Sequence, residues 1–267
     1  KTSKITDKTG LRYFTGFSIC FVTSVKLIAM AIQPWRTGKV VRIENETPNT
    51  RRYWIEIPEL SSFDFEPGQF VTLDLPIHEK PNKRWRSYSI ASWPDGTNVF
   101  ELVIVLVEDG LGTPWIFENV KVGSELILRG PQGVFVLREE NLQKDLFLIC
   151  TGTGIAPFRS MVHHIYRHNI PHKDIYIIFG SRTKQDILYY DELRSLPLEH
   201  YHYLPTLSRE EWEGKKGYVH AIYEELCCNK QDASFFLCGW KNMIDEAKQR
   251  IIALGYDRKA IHQELYG

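Results

Sequence analysis

Residues 150–158, Cys-Thr-Gly-Thr-Gly-Ile-Ala-Pro-Phe, set two glycines one residue apart between an apolar run and an amphipathic stretch. Gly152 and Gly154 let the backbone turn tightly and come close to a ligand. A helix opening at that point aims free N–H groups and the positive end of its dipole at an anion. Pro157 stands where a full G-x-G-x-x-G has its last glycine, and it suits a first helical turn, where no donor is needed. A bare glycine pair is often only a tight turn. The strand–loop–helix context favours a phosphate-binding loop. A second motif, Arg86-Ser87-Tyr88-Ser89, reads by itself as a strand with alternating residues. It gains interest from Glu66-Pro-Gly-Gln-Phe70 upstream and Gly110-Leu-Gly-Thr113 downstream. The latter leads into Pro-Trp-Ile-Phe, which could start a short helix and with it another anion site.

Two kinds of element must position these motifs. From about Pro34 to Arg138, short runs of Val, Ile, Leu, Phe and Tyr alternate with polar residues between Gly/Pro/Asn turns. The runs are Gly38–Glu44, Arg52–Ile57, Gln69–Leu75, Ser87–Ala91, Phe100–Leu106 and Glu125–Arg129. Six short strands at this spacing predict an antiparallel β-barrel. From about Leu142 strands alternate with helices. Leu146–Cys150, Ile175–Phe179, Tyr201–Leu207 and Phe235–Cys238 read as buried strands; Ala156–Arg167, Ile187–Ser195, Val219–Leu226 and Met243–Leu254 read as helices. That order predicts an α/β parallel sheet with helices on both faces. The expected organisation is an extension over 1–33, a barrel domain over 34–140 and an α/β domain over 141–267, with the boundary near the polar stretch Glu139–Lys144.

Composition excludes several classes. The chain has 267 residues, 33 basic and 33 acidic, so its formal charge is zero, which argues against a nucleic-acid binder. The five cysteines (Cys20, Cys150, Cys227, Cys228, Cys238) show neither zinc spacing nor the plant-type iron–sulfur pattern, so no metal site is expected. Unpaired thiols suggest a reducing compartment, the cytoplasm. Residues 1–30 hold five bases and one acid. The apolar stretch Phe17–Ile32 is short and interrupted by Lys26, so no membrane-spanning helix is expected there. The segment reads as a loosely docked extension, a leader peptide, or a stretch upstream of a start at Met30.

Taken in order, P-G-Q-F, R-S-Y-S, G-x-x-T, G-P-x-G, T-G-T-G-I-A-P-F, C-G and a terminal E-x-aromatic run from about Trp35 to Gly267. This ordered set resembles the ferredoxin–NADP⁺ reductase family. The resemblance implies an oxidoreductase in which the barrel binds FAD and the α/β half binds NADP(H). It gives Arg86, beside Ser87, to the FAD pyrophosphate, which suits a guanidinium fork. It lays Tyr88 against the isoalloxazine and points Ser89 at flavin N5, the hydride acceptor. Gly112 and Thr113 would hold the FAD pyrophosphate, and Gly152, Thr153 and Gly154 that of the nicotinamide dinucleotide. Cys238 would lie near nicotinamide C4, Tyr266 would cover the flavin's other face, and Glu264 would be the nearby carboxylate. The plain alternatives are a core cysteine at Cys238 and a packed terminal ring at Tyr266.

Ser208-Arg209, Lys216 and Tyr218 resemble in order and spacing the residues with which NADPH-using members bind the 2′-phosphate. Glu210, Glu211 and Glu213 leave a charged surface loop as the other reading. Ser181-Arg182 is a second pair at a strand end, for the dinucleotide or as a loop cap. A flavin converts between a two-electron donor and a one-electron carrier, and the chain shows no cluster cysteines or haem signature of its own. A separate ferredoxin or flavodoxin is therefore implied as partner, with the reductase a monomer. Lys80, Lys83, Arg84 and Arg86 are a candidate docking run or simply an exposed turn. Two other readings stand beside this one: a reductase component feeding an oxygenase or haem protein, and a non-catalytic flavin-binding electron-transfer subunit.

Overall fold

The computed structural model describes residues 33–266; the expectations for residues 1–32 lie outside the described residues. The first half holds β1 (Trp35–Thr47), β2 (Thr50–Glu56), β3 (Phe70–Asp74), β4 (Trp85–Ser89), β5 (Val99–Val105), α1 (Gly112–Asn119) and β6 (Glu125–Gln132). The strands form one antiparallel sheet in the order β4-β3-β6-β1-β2-β5. Its two edges meet where Ile90, just past β4, bridges Leu102 of β5, which closes the barrel. The sequence writes the barrel core as a period of two, because alternate strand residues face one side. Tyr53, Ile55 and Ile57 point inward, as do Val71, Leu73 and Leu75, Phe100, Leu102 and Ile104, and Leu126 and Leu128.

A short helix α2 (Glu139–Leu142) leads into the second half. There follow β7 (Asp145–Thr151), α3 (Ile155–His168), β8 (Ile175–Ser181), α4 (Tyr190–Arg194), β9 (Tyr201–Leu207), β10 (Lys215–Lys216), α5 (Val219–Leu226), β11 (Ala233–Trp240), α6 (Lys241–Ala253) and β12 (Ile261–Tyr266). The sheet is parallel throughout, in the order β10-β9-β8-β7-β11-β12. Its central strands are apolar on both faces. Leu146, Leu148 and Cys150 of β7 pack with Phe158, Met161 and Val162 of α3, while Phe147 and Ile149 pack with Ile222 of α5 and Ile244 of α6. Truncating a fully buried Phe such as Phe158 to Ala costs ~3–5 kcal/mol. All six expected barrel strands and four expected parallel strands are present. β10 and β12, at the two edges of the second sheet, were not anticipated.

The two halves share a core at their seam. Ala91, Val103 and Phe135 of the barrel half are buried among α3 and the parallel sheet. β5 divides its faces accordingly: Phe100, Leu102 and Ile104 look into the barrel, while Glu101 and Val103 look across the seam.

Candidate active site

The site lies where the C-terminal ends of β7, β11 and β12 meet the end of β4. Strand register sets Cys238 beside both Cys150 and Glu264, and Trp240 beside Tyr266. Ser89, the last residue of β4, is buried, and its hydroxyl donates to Glu264 Oε1 across the seam. Four residues from three distant stretches thus converge: Ser89, Cys238, Glu264 and Tyr266. Burial lifts the Glu264 carboxyl above its ordinary value, and the Ser89 hydrogen bond only partly opposes this. Burial, with the Glu264 charge nearby, pushes the Cys238 thiol well up, so it is a neutral thiol. The core reading of Cys238 fits its full burial, and strand register sets it beside Glu264. The Tyr266 hydroxyl is buried beside Ser89 and Cys238 with no directed hydrogen bond.

The barrel side presents an anion cradle. Arg86 spends Nη1 on the carbonyls of Lys83 (3.1 Å) and Trp85 (2.8 Å), and its other N–H groups have no protein acceptor among the described residues. α1 begins against it. A Cβ at Gly112 would lie 3.1 Å from Arg86 Cγ and Nε, so glycine lets the helix start lie this close without displacing the arginine side chain. No side chain caps α1, which leaves its first amides free for an anion. The Thr113 hydroxyl accepts from the Val107 N–H at 2.9 Å and so braces the loop, leaving its backbone amide as what it offers a ligand. Tyr88 packs partly against the barrel core, and Ser87 is exposed with its hydroxyl 3.1 Å from that of Thr72. In the basic run, Arg84 is paired with Asp74 (Nε–Oδ1 2.7 Å).

The glycine loop is a tight 3-10 turn, Gly152–Gly154, from which α3 departs. Gly152 has φ +54°, and a Cβ at Gly154 would lie 2.4 Å from the Cys238 carbonyl oxygen. Conformation favours glycine at 152, and the neighbouring strand requires it at 154. No side chain caps α3, Pro157 occupies its third position, and the Ile155 N–H is bonded back to the Gly152 carbonyl, so it is the preceding Gly152–Gly154 turn that faces a ligand.

Farther along the same edge, the two Ser-Arg pairs lie side by side. Ser208 N–H donates to Ser181 O, and Arg209 N–H to Arg182 O, both at 3.0 Å. The two-residue β10 brings Lys216 next to Leu207. Leu207, Ser208, Arg209, Glu211, Lys216 and Gly217 help line a surface pocket of about 340 Å³. Glu211 pairs with Lys216, whereas no carboxylate pairs with Arg209 among the described residues. Tyr218, 73% exposed, leads into α5. The Ser208 and Ser181 hydroxyls are taken by Ser181 O and Thr183 O, so both serines shape the loop through hydrogen bonds of their own. No group of His, Cys, Asp and Glu able to hold a metal occurs among the described residues.

Sequence reasoning passed over Glu101, Arg159, Tyr189 and Glu192, which meet at the seam behind Ser89. One signal was available. Glu101 is a lone charge inside the apolar run Val99–Val105, and a charge buried in such a run demands a partner.

Two helix starts backed by glycines, with a buried polar cluster between them, suit the binding of two phosphate-bearing cofactors. Comparison with known proteins gives the class, a flavin- and dinucleotide-dependent oxidoreductase. The family described as Oxidoreductase FAD-binding domain matches residues 37–137, and that described as Oxidoreductase NAD-binding domain matches 148–249. Ferredoxin–NADP reductase B of Sorangium cellulosum is 35% identical over 240 residues, which cover 86% of this chain and 96% of that one. The glycine betaine monooxygenase reductase subunit of Chromohalobacter salexigens is 30% identical, over 88% of this chain and 66% of its own length, so this chain spans just under two thirds of that relative. Among solved structures, a ferredoxin NADP⁺ reductase from Neisseria gonorrhoeae with bound FAD and NADP superimposes with a TM-score of 0.72 at 24% identity, covering 86% of this chain and 98% of that one; at this identity the likeness concerns the fold. The chain belongs to the ferredoxin–NADP⁺ reductase family. FAD and a nicotinamide dinucleotide are its cofactors.

Proposed function

We propose that this enzyme exchanges electrons between NADP(H) and a separate ferredoxin-type carrier through FAD bound at the seam. One observation carries the reading: Ser89, Cys238, Glu264 and Tyr266 converge between two uncapped helix starts, each backed by a glycine that admits close approach. FAD supplies the conversion from a two-electron donor to a one-electron acceptor. The chain's own residues do the rest. Arg86 and the first amides of α1 bind the FAD pyrophosphate, and the Gly152–Gly154 turn with α3 binds that of the dinucleotide. Ser89 orients its hydroxyl on the reacting edge of the flavin, and Glu264 accepts the Ser89 proton in a hydrogen bond and fixes that rotamer. With FAD bound, Tyr266 would cover the flavin face and would have to swing aside before a nicotinamide could stack, a gating step.

Arg209, Lys216 and Tyr218 favour NADPH over NADH, because a 2′-phosphate wants fixed cationic donors. The Glu211–Lys216 pair moderates that preference. The carrier lies outside these 267 residues, and a ferredoxin or flavodoxin fits the one-electron chemistry. A related reading, a reductase feeding an oxygenase, draws on the likeness to the glycine betaine monooxygenase reductase subunits. A reducing compartment fits the four free cysteines among the described residues. No described helix is long and apolar enough to cross a membrane.

The test is a visible spectrum of the purified protein followed by anaerobic NADPH titration, then NADPH-driven reduction of ferredoxin. The expected protein is yellow and bleaches stoichiometrically. Folded protein that stays colourless after incubation with FAD would overturn the reading.

A further inference from the structure

The seam holds more buried charge than a contact between two halves requires. Glu101 is 2% exposed and Arg159 3%. The Glu101 carboxylate accepts from Arg52 Nε (2.6 Å) and Nη2 (3.2 Å), from Arg159 Nη1 (3.1 Å) and from the Tyr189 hydroxyl (2.8 Å). Arg159 also gives Nη1 to the Ala91 carbonyl (2.8 Å), and Nε and Nη2 to the two oxygens of Glu192 (2.7 and 3.1 Å). Tyr189 lies between the Arg52 and Arg159 guanidinium groups, 4.9 and 4.3 Å from its ring centre. It holds φ +53°, rare for a bulky residue, with its N–H bonded to Glu46 Oε1 at 2.6 Å. A strained backbone persists only where its surroundings over-determine it.

The placement of these groups points to a role. Ala91 follows Ser89 by two residues, and its own N–H donates to the Glu101 carbonyl at 2.8 Å. Arg159 stands one turn into α3, the helix that starts at the Gly152–Gly154 loop. A single guanidinium therefore grips both the strand end that carries Ser89 and the helix that carries the dinucleotide loop. We propose that Arg159, buttressed by Glu101, is a positioning residue that fixes the distance between these two segments, and so the approach of the nicotinamide to the flavin. The inference rests on the functional reading above. Apolar contacts at the seam are non-directional and tolerate sliding. The Arg159 contacts do not: its bidentate pair with Glu192 sets the plane of the guanidinium, and that fixed fork aims Nη1 across the seam at both the Ala91 carbonyl and Glu101. Hydride transfer is sensitive to that distance: a displacement of about 1 Å can cost ~100-fold in rate.

The experiment compares wild type with Arg159→Lys, which keeps the charge and loses the fork. FAD content, the limiting rate of flavin reduction by NADPH, KM for NADPH, and reoxidation of photoreduced enzyme by ferricyanide are measured. The expected variant retains FAD and reoxidises at the wild-type rate, since that step needs no dinucleotide. Its limiting reduction rate falls at least about tenfold, with KM changed less than about twofold. A wild-type reduction rate in FAD-loaded variant would overturn the inference. So would reduction and reoxidation falling together in proportion to lost FAD, which is the signature of a merely structural pair. Should Arg159→Lys fail to fold, Glu192→Gln keeps one acceptor but takes the charge and the second bond from the outer, partly exposed arm, and a slowing of about threefold is expected; an unchanged rate again overturns the inference. Wild type that binds FAD but is not reduced by NADPH refutes the functional reading, and the positioning role with it.

Discussion

Two buried polar clusters flank Ala91 and differ in how completely they are satisfied. Around Glu101 the carboxylate takes hydrogen bonds from two arginines and a tyrosine, and Arg159 finds three acceptor groups. Around Ser89 the single directed bond is Ser89 to Glu264, while the Tyr266 hydroxyl is buried with no directed partner and Cys238 is a neutral thiol beside it. Buried polar groups left unpaired are costly. A satisfied cluster has one low-energy arrangement and makes a frame. An unsatisfied one gains by accepting a ligand whose polar atoms complete it. The same seam thus holds a rigid part and a receptive part, separated by two residues of chain.

The contrast can be broken at either end. The largest effect is expected from Arg159→Met, which leaves Glu101 and Glu192 short of their partner and should cost ~3–5 kcal/mol in urea unfolding. The double variant with Glu101→Gln should recover part of that loss; strict additivity would mean the two groups are not coupled. Ser89→Ala removes a hydroxyl from the receptive cluster. It should slow flavin reduction about 10–100-fold in stopped flow with little loss of FAD, and an unchanged rate would remove Ser89 from the chemistry. Arg209→Ala should raise KM for NADPH about tenfold and hardly alter that for NADH; equal changes would argue against a 2′-phosphate pocket.

The smallest effect concerns pH. Burial opposes ionisation of Glu192, but hydrogen bonds from His163 and Arg159 and their charges outweigh it and hold the carboxyl at about 2, against an ordinary 4.5. A depressed carboxylate contributes stability that is fully present above its unfolded value and is lost as pH falls through its folded one. The wild type should therefore lose stability between pH 4.5 and 2 on this group's account. Glu192→Gln should flatten that limb by about 1 kcal/mol or less, since the side chain is partly in solvent. Parallel acid-unfolding curves for the two proteins would show that the pair has no such weight.

Much of this was legible in the chain itself, and the remainder was hidden for physical reasons. Inward-facing strands announce themselves by alternation, as at Val71, Leu73 and Leu75, and the helix Val219–Leu226 matches its expected ends residue for residue. The glycine loop was readable because conformation favours glycine at 152 and close approach demands it at 154. β12 was missed because Ile-His-Gln-Glu-Leu-Tyr is the edge of a sheet, half in solvent, and carries no apolar run. β10 is two exposed lysines whose pairing depends wholly on Thr206 and Leu207. The Glu101 cluster draws on positions 46, 52, 101, 159, 189 and 192, and no local spacing brings them together. Charged residues on helices read as solvent-facing by default, and only the fold turns Arg159 inward.

Gly154 also couples two tasks that chemistry would let stand apart. With the Cys238 carbonyl filling the place of its missing side chain, and a Cβ at Gly239 likewise 2.5 Å from Thr151 Oγ1, the ends of β7 and β11 are keyed into each other. Nudging the Gly152–Gly154 turn would drag the thiol-bearing strand along, so, on the proposed roles, grip at one end of the dinucleotide and alignment at the other would move as one lever rather than two independent adjustments.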